Sequence, residues 1–185
     1  MVTILRIGHR IKRDKRITTH LALVARAFGA GCLVIAGEKD QKLTNTLEKV
    51  VTEWGGNFQL KFIPKEDWKR FIQNWKCDPK NKIVHLTMYG ENISDFENSE
   101  EFKNLKELSQ DSSSDLLVVV GGEKIPGKVF KMANWNIAIS NQPHSEVASL
   151  AVFLDRFNSR ALQLQFTDAQ KQIIPSVEGK KNYRK

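Results

Sequence analysis

Short apolar runs punctuate the chain at residues 4–7, 32–36, 58–63, 83–88, 116–120 and 136–139. Each is short, rich in apolar residues and too brief for a helix, which is the pattern of a strand. Between the runs, apolar positions recur every three or four residues. Residues 18–28 set Leu21, Val24, Ala25 and Phe28 on one face, with Gly29 as a C-terminal stop. A second helix is predicted over 42–54, ending at Gly55-Gly56, a third between 65 and 75, and a fourth over 145–157. This alternation predicts an α/β fold, a mainly parallel sheet with helices on both faces.

The period changes toward the C-terminus. Leu162-Gln163-Leu164-Gln165-Phe166 alternates as a strand does, and 172–175 is its predicted partner, so residues 160–185 are expected to form a hairpin-like extension outside the sheet. The polar, serine-rich stretch 91–115 predicts a surface excursion with one helix near 102–108. At 185 residues, one domain is expected.

Charge adds a second theme. The formal net charge is +8, and the first helix is preceded by Arg6, Arg10, Lys12, Arg13, Lys15 and Arg16, opposed only by Asp14. The chain ends Lys180-Lys181-Asn182-Tyr183-Arg184-Lys185. Clustered cations of this kind suit a phosphate backbone, whose neutralisation releases counterions, and arginine can grip phosphate with two donors. With no charged-then-apolar leader and no long apolar run, a soluble, cytoplasmic protein without a membrane span is expected. Cys32 and Cys77 have no partner at zinc-ligand spacing, so neither a disulfide nor a metal is expected.

Ligands of open α/β sheets gather beyond the carboxyl ends of the strands. Three such ends carry small or polar residues: Val84-His85-Leu86-Thr87-Met88-Tyr89-Gly90, then Val120-Gly121-Gly122-Glu123-Lys124-Ile125-Pro126, then Ser140-Asn141-Gln142-Pro143-His144-Ser145-Glu146. Neither a G-x-G-x-x-G nor a P-loop fingerprint is present, which weighs against a nucleotide-cofactor enzyme of those classes. Pro143 and Glu146 also suit an ordinary helix start.

The stretches "LRIGHRIKRDKRITTHLALVARAFGA", "HLTMYG", "VVVGGEKIPGKVF" and "ISNQPHSEVASLAVFLDR" closely resemble the archaeal tRNA (cytidine(56)-2'-O)-methyltransferases, a branch of the SPOUT superfamily, over about residues 4–175. The resemblance implies a C-terminal deep trefoil knot, tRNA as substrate, S-adenosyl-L-methionine as cofactor and a homodimer. It assigns the cofactor to Leu86, to Gly121, Gly122, Glu123, Lys124 and Ile125, and to Ile139, Ser140, Asn141, Gln142, Pro143, His144, Ser145 and Glu146. It implies a catalytic arginine near the first helix, for which Arg26 and then Arg16 are the candidates. A guanidinium remains protonated, so His20, one turn after Arg16, is the rival proton acceptor. Arg6, Arg10, Lys12, Arg13 and Lys15 are the expected RNA contacts. A non-catalytic RNA-binding domain on the same fold, or methylation of another tRNA nucleotide, are the alternatives.

Overall fold

All six apolar runs are strands in the computed structural model, which describes residues 1–108, 114–122 and 124–184. The chain runs β1 (Val2–Ile7), α1 (Ile11–Ala27), β2 (Cys32–Ala36), α2 (Gln41–Trp54), β3 (Gln59–Ile63), a 3-10 turn (Lys65–Asp67) and α3 (Trp68–Trp75). It continues through β4 (Lys82–Asn92), α4 (Ile93–Phe96), α5 (Glu100–Leu108), β5 (Leu116–Gly121), α6 (Lys128–Met132), β6 (Trp135–Ala138) and α7 (Glu146–Phe157). A 3-10 turn (Ala161–Gln163) precedes a separate pair, β7 (Lys171–Ile174) and β8 (Lys181–Arg184).

The six-stranded sheet has the order β3-β2-β1-β5-β4-β6, and its neighbours pair in parallel. Successive strand residues point to opposite faces, so each strand feeds two cores. One face joins Ile4, Leu33, Ile35, Val84 and Val118 to Leu21 and Ala25 of α1, Leu43 and Leu47 of α2, and Leu150 and Phe153 of α7. The other joins Leu5, Val34, Ile83 and Val119 to Ile72 of α3 and Val129 of α6. The expected mainly parallel sheet with helices on both faces is thus the fold. No helix among the described residues is long and apolar enough to cross a membrane.

Three regions differ from the sequence expectation. First, α1 begins at Ile11 rather than near residue 18, so most of the basic cluster lies on its first two turns. The inward positions of those turns are polar: Asp14 and Thr18 are buried, and no apolar stripe marks the start. Asp14 closes the helix end backwards, accepting from the Arg10 N–H at 3.1 Å, while Glu38 accepts from Ile11 N–H at 2.9 Å. Second, the stretch around 91–115 is no mere excursion. β4 runs on to Asn92, and Ile93, Phe96, Phe102 and Leu105 enter the core, while 109–113 lie outside the described residues. Third, 162–166 is not a strand. Its side chains serve tertiary contacts instead, and the hairpin forms from β7 and β8.

Arg26 accounts for the third difference. Its guanidinium, on a residue 8% exposed, donates to Gly55 O at 3.0 and 2.6 Å and to Trp54 O at 2.5 Å. It also lies 4.5 Å from the centroid of the Phe166 ring. The residue therefore closes the end of α2, whose last carbonyls lack helical partners, and draws the C-terminal segment onto the domain. We expect Arg26→Ala to lower the unfolding free energy by about 2–4 kcal/mol, from lost charged hydrogen bonds and the cation–π contact, measured by urea denaturation. An unchanged midpoint would count against this brace.

Candidate functional site

β5, β4 and β6 are neighbours, so the loops that follow them meet at one edge of the sheet. Between them opens a cleft of about 660 Å³, within the usual range for a small-molecule site. Its walls come from His85 to Tyr89 of β4, Val120 and Gly121 of β5, Lys124, Ile125, Gly127 and Phe130 before and in α6, and His144, Glu146 and Ser149 around the start of α7.

A break in β4 makes one wall. Both Leu86 and Glu91 register against Ile137 of β6, so the intervening residues bulge out of the ladder. Gly90 lies so close to β6 that a Cβ there would meet the Asn136–Ile137 backbone, 2.7 Å from Ile137 N. Asn141 fastens the opposite loop to this bulge, its Nδ2 donating to Met88 O at 2.9 Å and to Gly90 O at 3.2 Å. Asn92 Nδ2 donates in turn to Asn141 Oδ1 at 3.2 Å.

A buried ion pair makes the other wall. Arg6, with no exposed surface, donates from Nη2 to Glu146 Oε1 at 3.0 Å and from Nη1 to Gly8 O. Gly122 makes room for it, since a Cβ there would fall within contact distance of the guanidinium and 2.8 Å from Gly8 O. Glu146 heads α7, where Ser145 Oγ accepts from Val147 N–H at 3.1 Å as the cap.

Beside Arg6, His9 is buried, its Nδ1 2.9 Å from Thr18 Oγ1 and its Nε2 3.7 Å from Asp40 Oδ2. Burial, then the positive charge of Arg6, pulls the His9 imidazole below the ordinary histidine value, with Asp40, Asp14 and Glu38 opposing. Burial lowers His85 too, against the raising effect of its bond to Asn136.

The structure sorts the site residues expected from sequence. Leu86, Gly121, Lys124, Ile125, His144 and Glu146 line the cleft together. Gly122 stands behind it against Arg6, and Glu123 lies outside the described residues. Ile139 packs on the core, Asn141 braces the bulge, Ser145 caps α7, and Ser140 Oγ accepts from Gln142 N–H at 3.2 Å beside the exposed Pro143. Lys12, Arg13, Lys15, Arg16 and His20 are exposed on α1, and Arg10 is half-buried against Asp14.

Two assignments are corrected. Arg26 does not reach the cleft: it ends α1, about 24 Å along the helix axis from Arg10, at the amino edge of the sheet. Arg6 does not face outward as an RNA contact, because β1 carries it into the interior and Glu146 holds it there. Among the cleft residues, His85, Thr87, Met88, Tyr89, Val120, Gly127, Phe130 and Ser149 were not among those expected. The polar turn after residue 86 pointed to their neighbourhood, but no sequence signal told which side chains turn inward. No group of three or more His, Cys, Asp or Glu residues among the described residues could hold a metal ion.

Solved structures share this architecture. The SpoU methyltransferase AviRb from Streptomyces viridochromogenes, in complex with AdoMet, superposes with a TM-score of 0.54 at 10% identity, over 85% of this chain and 56% of that one. The A. aeolicus TrmH/SpoU tRNA modifying enzyme gives 0.56 at 11% identity, over 88% and 75%. The fold is the one shared by these methyltransferases of the SpoU/TrmH class.

Sequence likeness narrows the class. Residues 54–183 match the family model described as tRNA ribose 2'-O-methyltransferase, aTrm56. The tRNA (cytidine(56)-2'-O)-methyltransferase of Thermococcus kodakarensis is 48% identical, covering 98% of this chain and 96% of its own, and that of Methanocaldococcus jannaschii is 45% identical, covering 97% and 94%. The chain belongs to the tRNA (cytidine(56)-2'-O)-methyltransferase family.

The two buried histidines set a pH dependence. Their folded values lie below the ordinary 6.5, so between the two values the unfolded chain binds more protons. Stability is therefore full above about 6.5 and falls as pH drops below it. The thermal midpoint is expected to be level from about pH 7 upward and to decline as pH falls below about 6.5. His9→Gln should flatten that decline, and an equal slope in wild type and variant would remove His9 from the account.

Proposed function

We propose that the protein transfers the methyl group of S-adenosyl-L-methionine to the ribose 2'-hydroxyl of cytidine 56 in the T loop of tRNA, in the cytoplasm. The observation that carries this reading is the cleft itself: six of the residues assigned to the cofactor line it, in a chain of this family. The residues fit such a group. The cleft offers a glycine backbone at Gly121, apolar surface at Leu86, Val120, Ile125 and Phe130, both charge signs at Lys124 and Glu146, and an unpartnered buried acceptor, His85 Nε2.

S-adenosylmethionine supplies, when bound, a methyl group on a positively charged sulfur. The chain must then present the hydroxyl in line and relieve it of its proton. Arg16 and Arg13, exposed on α1, are assigned to hold substrate phosphate, because a guanidinium donates at every working pH and cannot serve as the base. His20, exposed one turn beyond Arg16, is assigned to accept the hydroxyl proton. Arg10, Lys12 and Lys15 extend the cationic face along the RNA.

The same reading includes the deep trefoil knot and a homodimer. Ile17 on α1 (43% exposed), Val152 on α7 (37%) and Tyr89 on the cleft wall (80%) leave apolar surface open around the site, which a second copy would cover.

The decisive experiment incubates the protein with methyl-labelled donor and tRNA transcripts, one with cytidine 56 replaced. Label in the first at the 2'-oxygen and none in the second is expected; label in both would refute the assigned nucleotide. Arg13→Ala should weaken tRNA binding several-fold and reduce the slope of log affinity against log salt by about 1, with cofactor affinity unchanged by calorimetry. A matching loss of cofactor affinity would break the division between the cleft and the basic face.

A further inference from the structure

His85 lines the cleft and holds a buried polar atom that nothing in the chain satisfies. The residue, on β4, is 1% exposed, and its ring meets Phe130 edge-on with centroids 4.9 Å apart. Its neighbours dictate its tautomer. Asn136 donates from Nδ2 to Phe130 O at 3.1 Å, which turns its Oδ1 toward the imidazole, 2.9 Å from His85 Nδ1. The proton between those two atoms must then sit on Nδ1. Nε2 is left as a bare acceptor, closed off from solvent and without a hydrogen-bond partner, in a residue that lines the cleft. Native proteins rarely leave such an atom unmet, and in a residue that lines a cleft a ligand is one group able to meet it.

Resting on the reading of the cleft as the S-adenosylmethionine site, we propose that His85 Nε2 accepts a hydrogen bond from the 6-amino group of the cofactor's adenine and so selects adenine over other purines. The surroundings favour the base over the rest of the cofactor. Leu86, Val120, Ile125 and Phe130 give the wall around His85 an apolar character suited to a flat ring. The charged amino-acid end matches Lys124, which lines the cleft and is exposed, whereas the Glu146 carboxylate is already held by Arg6. Burial keeps the imidazole neutral near neutral pH, so Nε2 stays an acceptor. A purine with a 6-oxo group would set two acceptors against each other, and one with hydrogen there would leave Nε2 unmet.

The test is calorimetry without tRNA, using S-adenosylhomocysteine and its analogues with the 6-amine replaced by hydrogen or by oxygen, on wild type, His85→Leu and His85→Gln. Wild type should lose about tenfold in affinity for the hydrogen analogue and more for the oxo analogue. His85→Leu should bind S-adenosylhomocysteine and the hydrogen analogue within about threefold of each other, and His85→Gln, whose amide oxygen can replace Nε2, should keep part of the preference. Thermal unfolding reports whether the variants fold; if Leu does not, the Gln variant and the wild-type analogue series still decide. Binding of S-adenosylhomocysteine by wild type with no preference for the amine overturns the role of His85 alone. No binding at all overturns the reading of the cleft, and the inference with it.

Discussion

A guanidinium with no exposed surface sits at the carboxyl edge of the sheet, and much of the local architecture answers it. Arg6 has lost its hydration, a cost that only close, well-aligned acceptors can offset, and leaving such a charge alone typically costs about 3–5 kcal/mol. Glu146 and Gly8 O provide the acceptors. In doing so they bind the end of β1 to the first turn of α7 across the end of β5. Three chain segments distant in sequence are thereby held to one geometry, and the cleft lies along their border.

The cleft's other side is fixed by neutral hydrogen bonds instead. Asn141 joins the loop before α7 to the carbonyls of the β4 bulge, so the two walls are each tied down, one by charge and one by an amide. The ionic pair is shielded, whereas Lys124 stays exposed and available. The cationic turns of α1 are likewise kept outside while Asp14 and Thr18, on the same turns, face inward.

Much of this was legible in the chain. Short apolar-rich runs announce the six strands, including the half-exposed β3, and the polar or glycine-bearing ends of three of them mark the site. What escaped notice has a common cause. The start of α1 uses buried Asp14 and Thr18 where an apolar stripe would normally stand, so periodicity is silent there. Residues 162–166 alternate like a strand, yet Phe166 is claimed by the Arg26 guanidinium. Phe96, Phe102 and Leu105 reach the core from a stretch whose average polarity hides them. Arg6 and Arg26 look like surface cations until the backbone shows which way each faces, and the same holds for His85. Direction of a side chain relative to distant segments is tertiary information, and local pattern does not contain it.

The fit of Arg6 against Gly122 makes these two positions conditional on one another during divergence. A side chain at 122 would press on the Arg6 guanidinium and on Gly8 O together, so a smaller residue at 6 would relieve only part of the crowding and would strand the Glu146 carboxylate at the head of α7. A path that changes residue 122 must therefore move the Gly8 backbone as well as residues 6 and 146, or pass through a form in which this edge of the cleft has come apart.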